Sequence, residues 1–290
     1  MTQKRSGLSI LFAASLALAA PRGAAAAVPT WRLVAEAPVA HRASVAAFVD
    51  EQHGMTAGYA GATYFTRDGG QTWTPGANAS ACRFGLEARP GVAWSAGNQG
   101  HVRASTDGGA RWAALASFGR TEPGHARFLS FVDARRGLIA TAYDLAITTD
   151  GGETWTKLAP PQEDVPIAAV SLAEEAGALR LRVLDEDGAL WRSTDGGASW
   201  AKAASPLRKP VMESLTTPWA ALRFNGPEGV LAAFVDDGGP KGGVYRTRDG
   251  GKTWTEDAIE QLAVGTPNLS WDGRVLVTFD GRAVRVYRAE

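Results

Sequence analysis

The chain reads Thr66-Arg67-Asp68-Gly69-Gly70-Gln71-Thr72-Trp73 at the point that decides its fold, because the same eight-residue pattern returns four more times. The pattern is a Ser or Thr, any residue, Asp-Gly-Gly, two variable residues and a Trp. We term each copy a box. The copies are TRDGGQTW at 66–73, STDGGARW at 105–112, TTDGGETW at 148–155, STDGGASW at 193–200 and TRDGGKTW at 247–254.

Each box has the composition of a tight turn between two antiparallel strands. The glycine pair can adopt positive φ, and the Asp carboxylate can accept hydrogen bonds from turn amides. The Trp opens the outgoing strand, where its ring is expected to be buried between neighbouring sheets. Five repeated acids also invite a catalytic or calcium-binding interpretation, but a residue present in every repeat is more typical of the repeat's own construction. We therefore assign structural roles to Asp68, Asp107, Asp150, Asp195 and Asp249, and to Trp73, Trp112, Trp155, Trp200 and Trp254.

The spacing of the boxes indicates the size of the repeating unit. Successive box aspartates are 39, 43, 45 and 54 residues apart, which suits the four short strands of a propeller blade. In the third unit, strand-like stretches at 128–132, 137–143 and 145–148 precede the box, and the box Trp opens a fourth strand. The sequence therefore predicts an all-β fold built from four-stranded blades.

The two ends of the chain resemble the two parts of one further unit. VYRA at 286–289 resembles VYRT at 244–247, which leads into the last box. TWRLVA at 30–35 resembles TWTKLA at 154–159, which follows a box. We therefore predict a six-bladed β-propeller in which the N-terminal strand completes the last blade and removes the open sheet edges.

Residues 1–27 have the composition of a secretory signal peptide. Lys4-Arg5 precedes an apolar run from Leu8 to Ala20, and small residues then offer A-x-A cleavage choices near positions 26 and 27. The run is shorter than the roughly 20 residues needed to span a bilayer. We expect residues 28–290 to form a single exported domain, periplasmic or extracellular, without membrane insertion after cleavage.

Composition excludes several classes of function. The chain has 30 Lys plus Arg and 30 Asp plus Glu, a balance that excludes a polybasic nucleic-acid binder. A single cysteine, Cys82, excludes an internal disulfide and a multi-thiolate zinc site. That cysteine is either a small buried apolar residue or a reactive thiol. The four histidines have no short ligand spacing, and we predict neither a metal nor a cofactor.

The boxes look like Asp-boxes, also called bacterial neuraminidase repeats. The wider repeat is similar to the photosystem II stability/assembly-factor family and its exported bacterial relatives, in which a phrase like FVDARRGL at 131–138 precedes a box ending in GGxTW. Asp-boxes are shared by sialidases, other glycosidases, sortilin-type receptor domains and non-enzymatic assembly factors. The resemblance to the assembly factors implies a lumenal or periplasmic propeller that binds proteins while a membrane complex is assembled.

The function predicted on this basis is non-enzymatic binding of a protein partner at the cell envelope. A secreted sialidase-like glycoside hydrolase is the alternative, and a carbohydrate-binding propeller that takes a glycan is the third candidate. A sialidase resemblance requires an Arg-Ile-Pro segment, which the sequence lacks, and we assign no catalytic residue. A glycosidase needs two carboxyls that converge in the channel, one with a raised pKa, whereas a lectin needs exposed aromatic platforms.

Six residues on the face opposite the boxes form the candidate binding set: Arg42, Arg83, Arg127, Tyr59, Tyr143 and Asp144. The three arginines enter the first strands of three consecutive units, where guanidiniums can pair with carboxylates of a partner. The alternative is that each arginine pairs with a local acid and only ties the blades together. The two tyrosines are the candidate platforms for a glycan.

Overall fold

The computed structural model describes most of the chain as short β-strands. The described residues are 30–38, 43–58, 62–76, 82–118, 125–208, 210–211, 219–236, 240–259, 262–280 and 283–290. The predicted signal peptide, residues 1–27, lies outside them. Within these ranges, no helix is long and apolar enough to cross a membrane.

The strands fall into six units of four, numbered here in chain order. Unit 1 contains β2 (Ala43–Phe48), β3 (Gly54–Gly58), β4 (Thr63–Thr66) and β5 (Thr74–Pro75). Unit 2 contains β6 (Cys82–Arg89), β7 (Val92–Gly97), a 3-10 turn (Asn98–Gly100), β8 (Val102–Ser105) and β9 (Ala113–Ala114). Unit 3 contains β10 (Phe128–Phe131), β11 (Gly137–Ala140), β12 (Leu145–Thr148) and β13 (Thr156–Leu158).

The second half of the chain repeats this arrangement. Unit 4 contains β14 (Ile167–Glu175), β15 (Ala178–Asp185), β16 (Leu190–Ser193) and β17 (Ala201–Ala203). Unit 5 contains β18 (Ala220–Asn225), β19 (Glu228–Asp236), β20 (Pro240–Thr247) and β21 (Thr255–Ile259). Unit 6 contains β22 (Thr266–Leu269), β23 (Val275–Phe279), β24 (Ala283–Ala289) and, from the other end of the chain, β1 (Thr30–Pro38). The all-β prediction is confirmed.

Each unit is an antiparallel meander, so the turn after its first strand and the box after its third strand lie at the same end. The two turns are bonded directly to each other. In unit 3 the Gly151 N–H donates to Arg135 O at 2.7 Å, and in unit 5 the Gly250 N–H donates to Pro227 O at 2.8 Å. We term this end of the units the box face and the other end the opposite face.

The N-terminal strand pairs with the C-terminal strand. β1 runs antiparallel to β24 from the pair Trp31–Ala289 to the pair Pro38–Ala283. The first two residues of β1 also pair in parallel with β21, so units 5 and 6 share one eight-stranded sheet. The two stretches that look like parts of one unit in the sequence therefore pair as neighbouring strands.

The first strands of the six units contact one another in a cyclic order. β2 contacts β6, β6 contacts β10, and the series continues through β14, β18 and β22, which contacts β2. Residues of all six strands line a central cavity of about 50 Å³. That volume holds a few water molecules at most.

Units 1, 3 and 5 share a packing motif at the box face. A Phe at or next to the end of the first strand pairs with a Gly at or next to the start of the second strand, at Phe48–Gly54, Phe131–Gly137 and Phe224–Gly229. A Cβ at Gly137 would lie 2.3 Å from Phe131 Cε1, so the ring requires glycine there. The box Trp meets the same ring edge-on, with centroids 6.2 Å apart at Phe48–Trp73 and 5.8 Å apart at Phe224–Trp254.

Trp31 should anchor β1 to the rest of the fold. It is fully buried, and its Nε1 donates at 3.0 Å to Asp257 Oδ2, which also accepts from Arg246 Nε at 3.0 Å. Trp31→Ala should lower the free energy of unfolding by about 3–5 kcal/mol, because it leaves a cavity and removes a bond to a buried carboxylate. Urea denaturation measures the change.

The neighbouring Arg32 provides the matched control. Its side chain is exposed and pairs with Glu290 at 2.8 Å, so Arg32→Ala should cost less than about 1 kcal/mol. Equal losses for the two variants would contradict a core role for Trp31.

Candidate functional site

Each box turn is held by one carboxylate. In the first box, Asp68 Oδ1 accepts from Thr66 Oγ1 at 2.8 Å and from the Thr72 N–H at 2.9 Å, while Asp68 Oδ2 accepts from Thr72 Oγ1 at 2.5 Å. Thr66 Oγ1 accepts in turn from the Gly70 N–H at 2.8 Å. The third, fourth and fifth boxes repeat these bonds. The second box keeps all but the hydroxyl bond, because Arg111 stands at the Thr72 position.

These hydrogen bonds lower the pKa of the box carboxyls. The hydroxyl and amide of Thr72 lower the pKa of Asp68 to about 2, and those of Ser199 lower the pKa of Asp195 to about 2. Equivalent bonds lower the pKa values of the other three box aspartates. A general acid at neutral pH needs the opposite shift. The geometry therefore favours a structural role for the box aspartates.

Two of the box tryptophans link their unit to the preceding one. Trp200 Nε1 donates to Ala159 O, and Trp254 Nε1 donates to Ala204 O, both at 3.0 Å. Each acceptor follows the fourth strand of the preceding unit. The box thus fixes a tryptophan that spans the boundary between two units.

The side chains of three of the six residues in the candidate binding set are not described by the structure. Arg42 and Tyr59 lie outside the described residues. Arg83 lies on β6, but its side chain, like that of Cys82, is not described. The predicted grouping of three arginines on the opposite face therefore stays a prediction.

The other three members of the set lie on unit 3. Arg127 is only 4% exposed, and burial lowers the pKa of its guanidinium, although the negative charge of Glu186 acts in the opposite direction. Tyr143 is 41% exposed. Asp144 forms an ion pair with Lys157 Nζ at 2.6 Å. Tyr143 thus offers an exposed ring on the opposite face, whereas Arg127 is largely enclosed beside it.

A buried ion pair crosses the central cavity. Glu87 of unit 2 is 2% exposed, and Arg223 of unit 5 donates to its Oε2 and, at 3.2 Å, to Leu129 O of unit 3. Burial raises the pKa of the Glu87 carboxyl, although the guanidiniums of Arg223 and Arg89 act in the opposite direction. The pair joins three units across the cavity.

Arg89 is the second guanidinium beside Glu87. Its Nε lies 4.0 Å from Glu87 Oε1, and its guanidinium carbon lies 4.9 Å from the centroid of the Trp271 ring. Among the described residues, neither Arg89 Nε nor Glu87 Oε1 has a hydrogen-bond partner. Sequence reasoning missed this cluster. The available signal was a pair of oppositely charged residues, Glu87 and Arg89, two apart at the end of a first strand.

A cavity of about 790 Å³ opens between units 1 and 2 on the box face. We term it the box-face groove. Its apolar lining includes Met55 and Phe65 of unit 1 and Ala88 and Ala93 of unit 2, and Arg89 lies beside them. Its size falls within the 300–1,000 Å³ range of ligand-binding pockets. No three His, Cys, Asp or Glu side chains of the described residues group into a metal site there or elsewhere.

Comparison with known proteins identifies the repeats. The family model for the BNR/Asp-box repeat matches residues 64–75, 146–157 and 245–256. The boxes at 105–112 and 193–200 lie outside these matches but have the same turn geometry. No curated protein sequence matches the chain.

Several solved structures share the architecture. YCF48 bound to a D1 peptide has a TM-score of 0.53 at 16% identity, covering 90% of this chain and 97% of that one. YCF48 from Cyanidioschyzon merolae has a TM-score of 0.51 at 16% identity, covering 88% and 98%. The GH74 enzyme of Niastella koreensis has a TM-score of 0.54 at 15% identity, covering 83% of this chain and 44% of that one. The chain is a β-propeller of the BNR/Asp-box type, similar to YCF48.

The box bonds predict a specific dependence of stability on pH. Asp68 has a pKa of about 2 when folded, below its ordinary 3.8, so its contribution is complete above about pH 5 and is lost as the pH falls towards 2. Asp68→Asn should therefore lower the free energy of unfolding at pH 7, and the gap from the native protein should close between pH 5 and pH 2. Urea denaturation at a series of pH values measures the gap.

Asp187→Asn is the charge-matched control, because Asp187 is an exposed aspartate outside the boxes. It should change the free energy of unfolding at pH 7 by no more than about 0.5 kcal/mol. A gap for Asp68→Asn that stays constant with pH would contradict the carboxylate role.

Proposed function

We propose that this chain is an exported six-bladed β-propeller that binds a protein partner at the cell envelope as a non-enzymatic assembly or accessory factor. The cyclic contacts of the six first strands support a closed ring. The pairing of β1 with β24 supports closure by the N-terminal strand. The similar fold of YCF48, whose structure was solved with a bound D1 peptide, supports a protein segment as the ligand.

The observation that carries this proposal is the narrow central cavity. A sugar residue does not fit a space of about 50 Å³ that is lined by Arg223, the buried partner of Glu87. Opening that space would separate two charges that are both largely buried, which is strongly unfavourable. Binding is therefore assigned to the surface of the ring, where the box-face groove and the exposed Tyr143 are found.

A glycoside hydrolase is the second candidate, because GH74 enzymes share the fold and Glu87 has a raised pKa. A raised carboxyl pKa is the property that a general acid needs. Glu87, however, is 2% exposed and lies between two guanidiniums. We interpret it as a bridge between units rather than as a proton donor to substrate.

Export gives a simple expected outcome. When the full chain is expressed in a Gram-negative host, the protein should be recovered from the periplasm or medium with an N-terminus at Ala27 or Val28, as read by mass spectrometry. The same chain started at Val28 should stay in the cytoplasm. Recovery of an intact Met1 form from the cytoplasm would contradict export.

Partner binding is tested by affinity capture from detergent-solubilised envelope of the source cells. The immobilised protein should enrich one subunit of a membrane complex, identified by mass spectrometry. Synthetic peptides that cover the subunit's segments outside the cytoplasm should then bind the purified protein and compete with capture. Tyr143→Ala tests the opposite face, and Arg67→Glu tests the box face, because both side chains are exposed.

Arg127→Glu is unsuitable as a probe of binding, because it would bury a carboxylate in place of a guanidinium that is 4% exposed. Two results together would overturn the assembly-factor proposal. The first is that capture enriches no protein, and the second is that the protein hydrolyses xyloglucan or aryl glycosides and Glu87→Gln abolishes this hydrolysis.

A further inference from the structure

Unit 2 departs from the packing motif of its neighbours at the box face. The position of Phe48, Phe131 and Phe224 is occupied by Ala88, and its partner on the second strand is Ala93. The register is the same, because Ala93 pairs with the box residue Ser105 as Gly137 pairs with Thr148. Unit 4 keeps bulk at the two positions through Leu172 and Leu181. Of these five units, only unit 2 has small side chains at both positions.

The missing volume lies at the boundary with unit 1. There Met55 and Phe65 pack in one cluster with Ala88 and Ala93. At the next boundary, the equivalent space is filled by Trp94 stacked on Phe131, with ring centroids 3.7 Å apart. The box-face groove therefore opens at the position where units 1, 3 and 5 have a phenylalanine ring.

Two arginines, Arg67 and Arg89, line the groove with a single acidic residue, Asp107. Arg89 follows Ala88 directly, and the nearest carboxylate, Glu87, is shared with Arg223. The negative charges of Asp133 and Asp272 also act on the Arg89 guanidinium. Asp133 is paired with Arg136 Nε at 2.7 Å, whereas Asp272 accepts from the Ser270 hydroxyl at 2.6 Å.

Asp107 belongs to the second box, where the hydroxyl of Ser105 and the amide of Arg111 donate to its Oδ1 and lower its pKa. It therefore offsets one of the two arginine charges of the lining and leaves the other. His53 is paired with Asp50 at 2.9 Å. Arg67 is exposed along the same groove. The charge distribution therefore favours an acidic ligand.

We propose that the box-face groove binds a peptide segment that presents an aromatic side chain next to a carboxylate. The ring occupies the space beside Met55 and Phe65 that Ala88 and Ala93 leave open. The carboxylate pairs with the guanidinium of Arg89, which lines the groove. This inference rests on the proposed function and names the site and the chemistry of the partner segment.

A variant that restores the repeat gives a direct test. Ala88→Phe/Ala93→Gly introduces the Phe–Gly pair of units 1, 3 and 5, so it should fold with unchanged or higher stability while filling the groove. Arg89→Gln removes only the charge. Urea denaturation of both variants checks that they are folded, and Tyr143→Ala, on the opposite face, is the control that should leave groove binding intact.

The probe is the tetrapeptide acetyl-Gly-Phe-Glu-Gly-amide, compared with versions that carry Gln for Glu or Ala for Phe. Binding is followed by NMR of the protein labelled with ¹³C-methyl methionine. The chain has three methionines, and Met55→Leu assigns the Met55 signal. A phenylalanine ring beside Met55 shifts this methyl signal through its ring current.

We expect saturable shifts of the Met55 methyl with a Kd of about 1 mM, typical of a small ligand. The Gln and Ala peptides should bind at least tenfold more weakly. Ala88→Phe/Ala93→Gly should abolish the shifts, and Arg89→Gln should bind the Glu and Gln peptides equally. No shift at 10 mM peptide, or unchanged binding to the filled variant, would overturn the proposal. So would a Met55 shift that depends on protein concentration alone, which would assign the groove to a second copy of the chain.

The same variants separate this inference from the proposed function. Partner capture that survives Ala88→Phe/Ala93→Gly would leave the assembly-factor proposal intact and exclude the groove as its site. Peptide binding at Met55 without capture of any envelope protein would support the groove as a peptide site and contradict the assembly-factor proposal.

Discussion

The structure depends on one local constraint, which is the bonding of the box carboxylate within its own turn. Asp68 accepts from Thr66 and Thr72, and Thr66 accepts from the Gly70 amide, so the chain reverses with a fixed geometry. That geometry fixes where the box Trp leaves the turn, and the Trp then spans the boundary between units. Because these bonds are local, each unit can form its turn before its neighbours are in place. The repeat is thus stabilised by turn chemistry as well as by apolar burial.

Arrangement of the units around a common centre has consequences for chemistry. The first strands approach so closely that the central cavity is narrow, and Arg223, which lines it, needs a nearby acid. Glu87 supplies this acid from a unit far apart in sequence. Such a buried pair adds little net stability compared with apolar packing, but separating its charges is costly. The pair therefore favours a single arrangement of units 2, 3 and 5.

The sequence predicts those parts of the fold that depend on short-range patterns. Box spacing gives the four-stranded units, and the TWRLVA and VYRA stretches give the pairing of β1 with β24. The Glu87–Arg223 pair could not be predicted, because the two residues are 136 positions apart and no local pattern relates them. The enclosure of Arg127 was missed for a similar reason, since its neighbour Glu186 belongs to the following unit. Turn chemistry is local, whereas the environment of a charged side chain is set by distant strands.

A repeated fold makes departures from its pattern informative. Phe at the end of the first strand, Gly opposite it and the box Trp form a set that three units retain, and unit 4 replaces the first two with leucines of comparable bulk. Alanine at both positions of unit 2 removes apolar side-chain volume from the cluster that Ala88 and Ala93 form with Met55 and Phe65. Arg89 stands next to this gap, and its Nε lies 4.0 Å from Glu87 Oε1 without a hydrogen-bond partner among the described residues. The loss of packing and the incompletely paired charge each lower the stability of the protein when no ligand is bound. Both are compensated if a ligand supplies the ring and the carboxylate, which is why the box-face groove is assigned to binding.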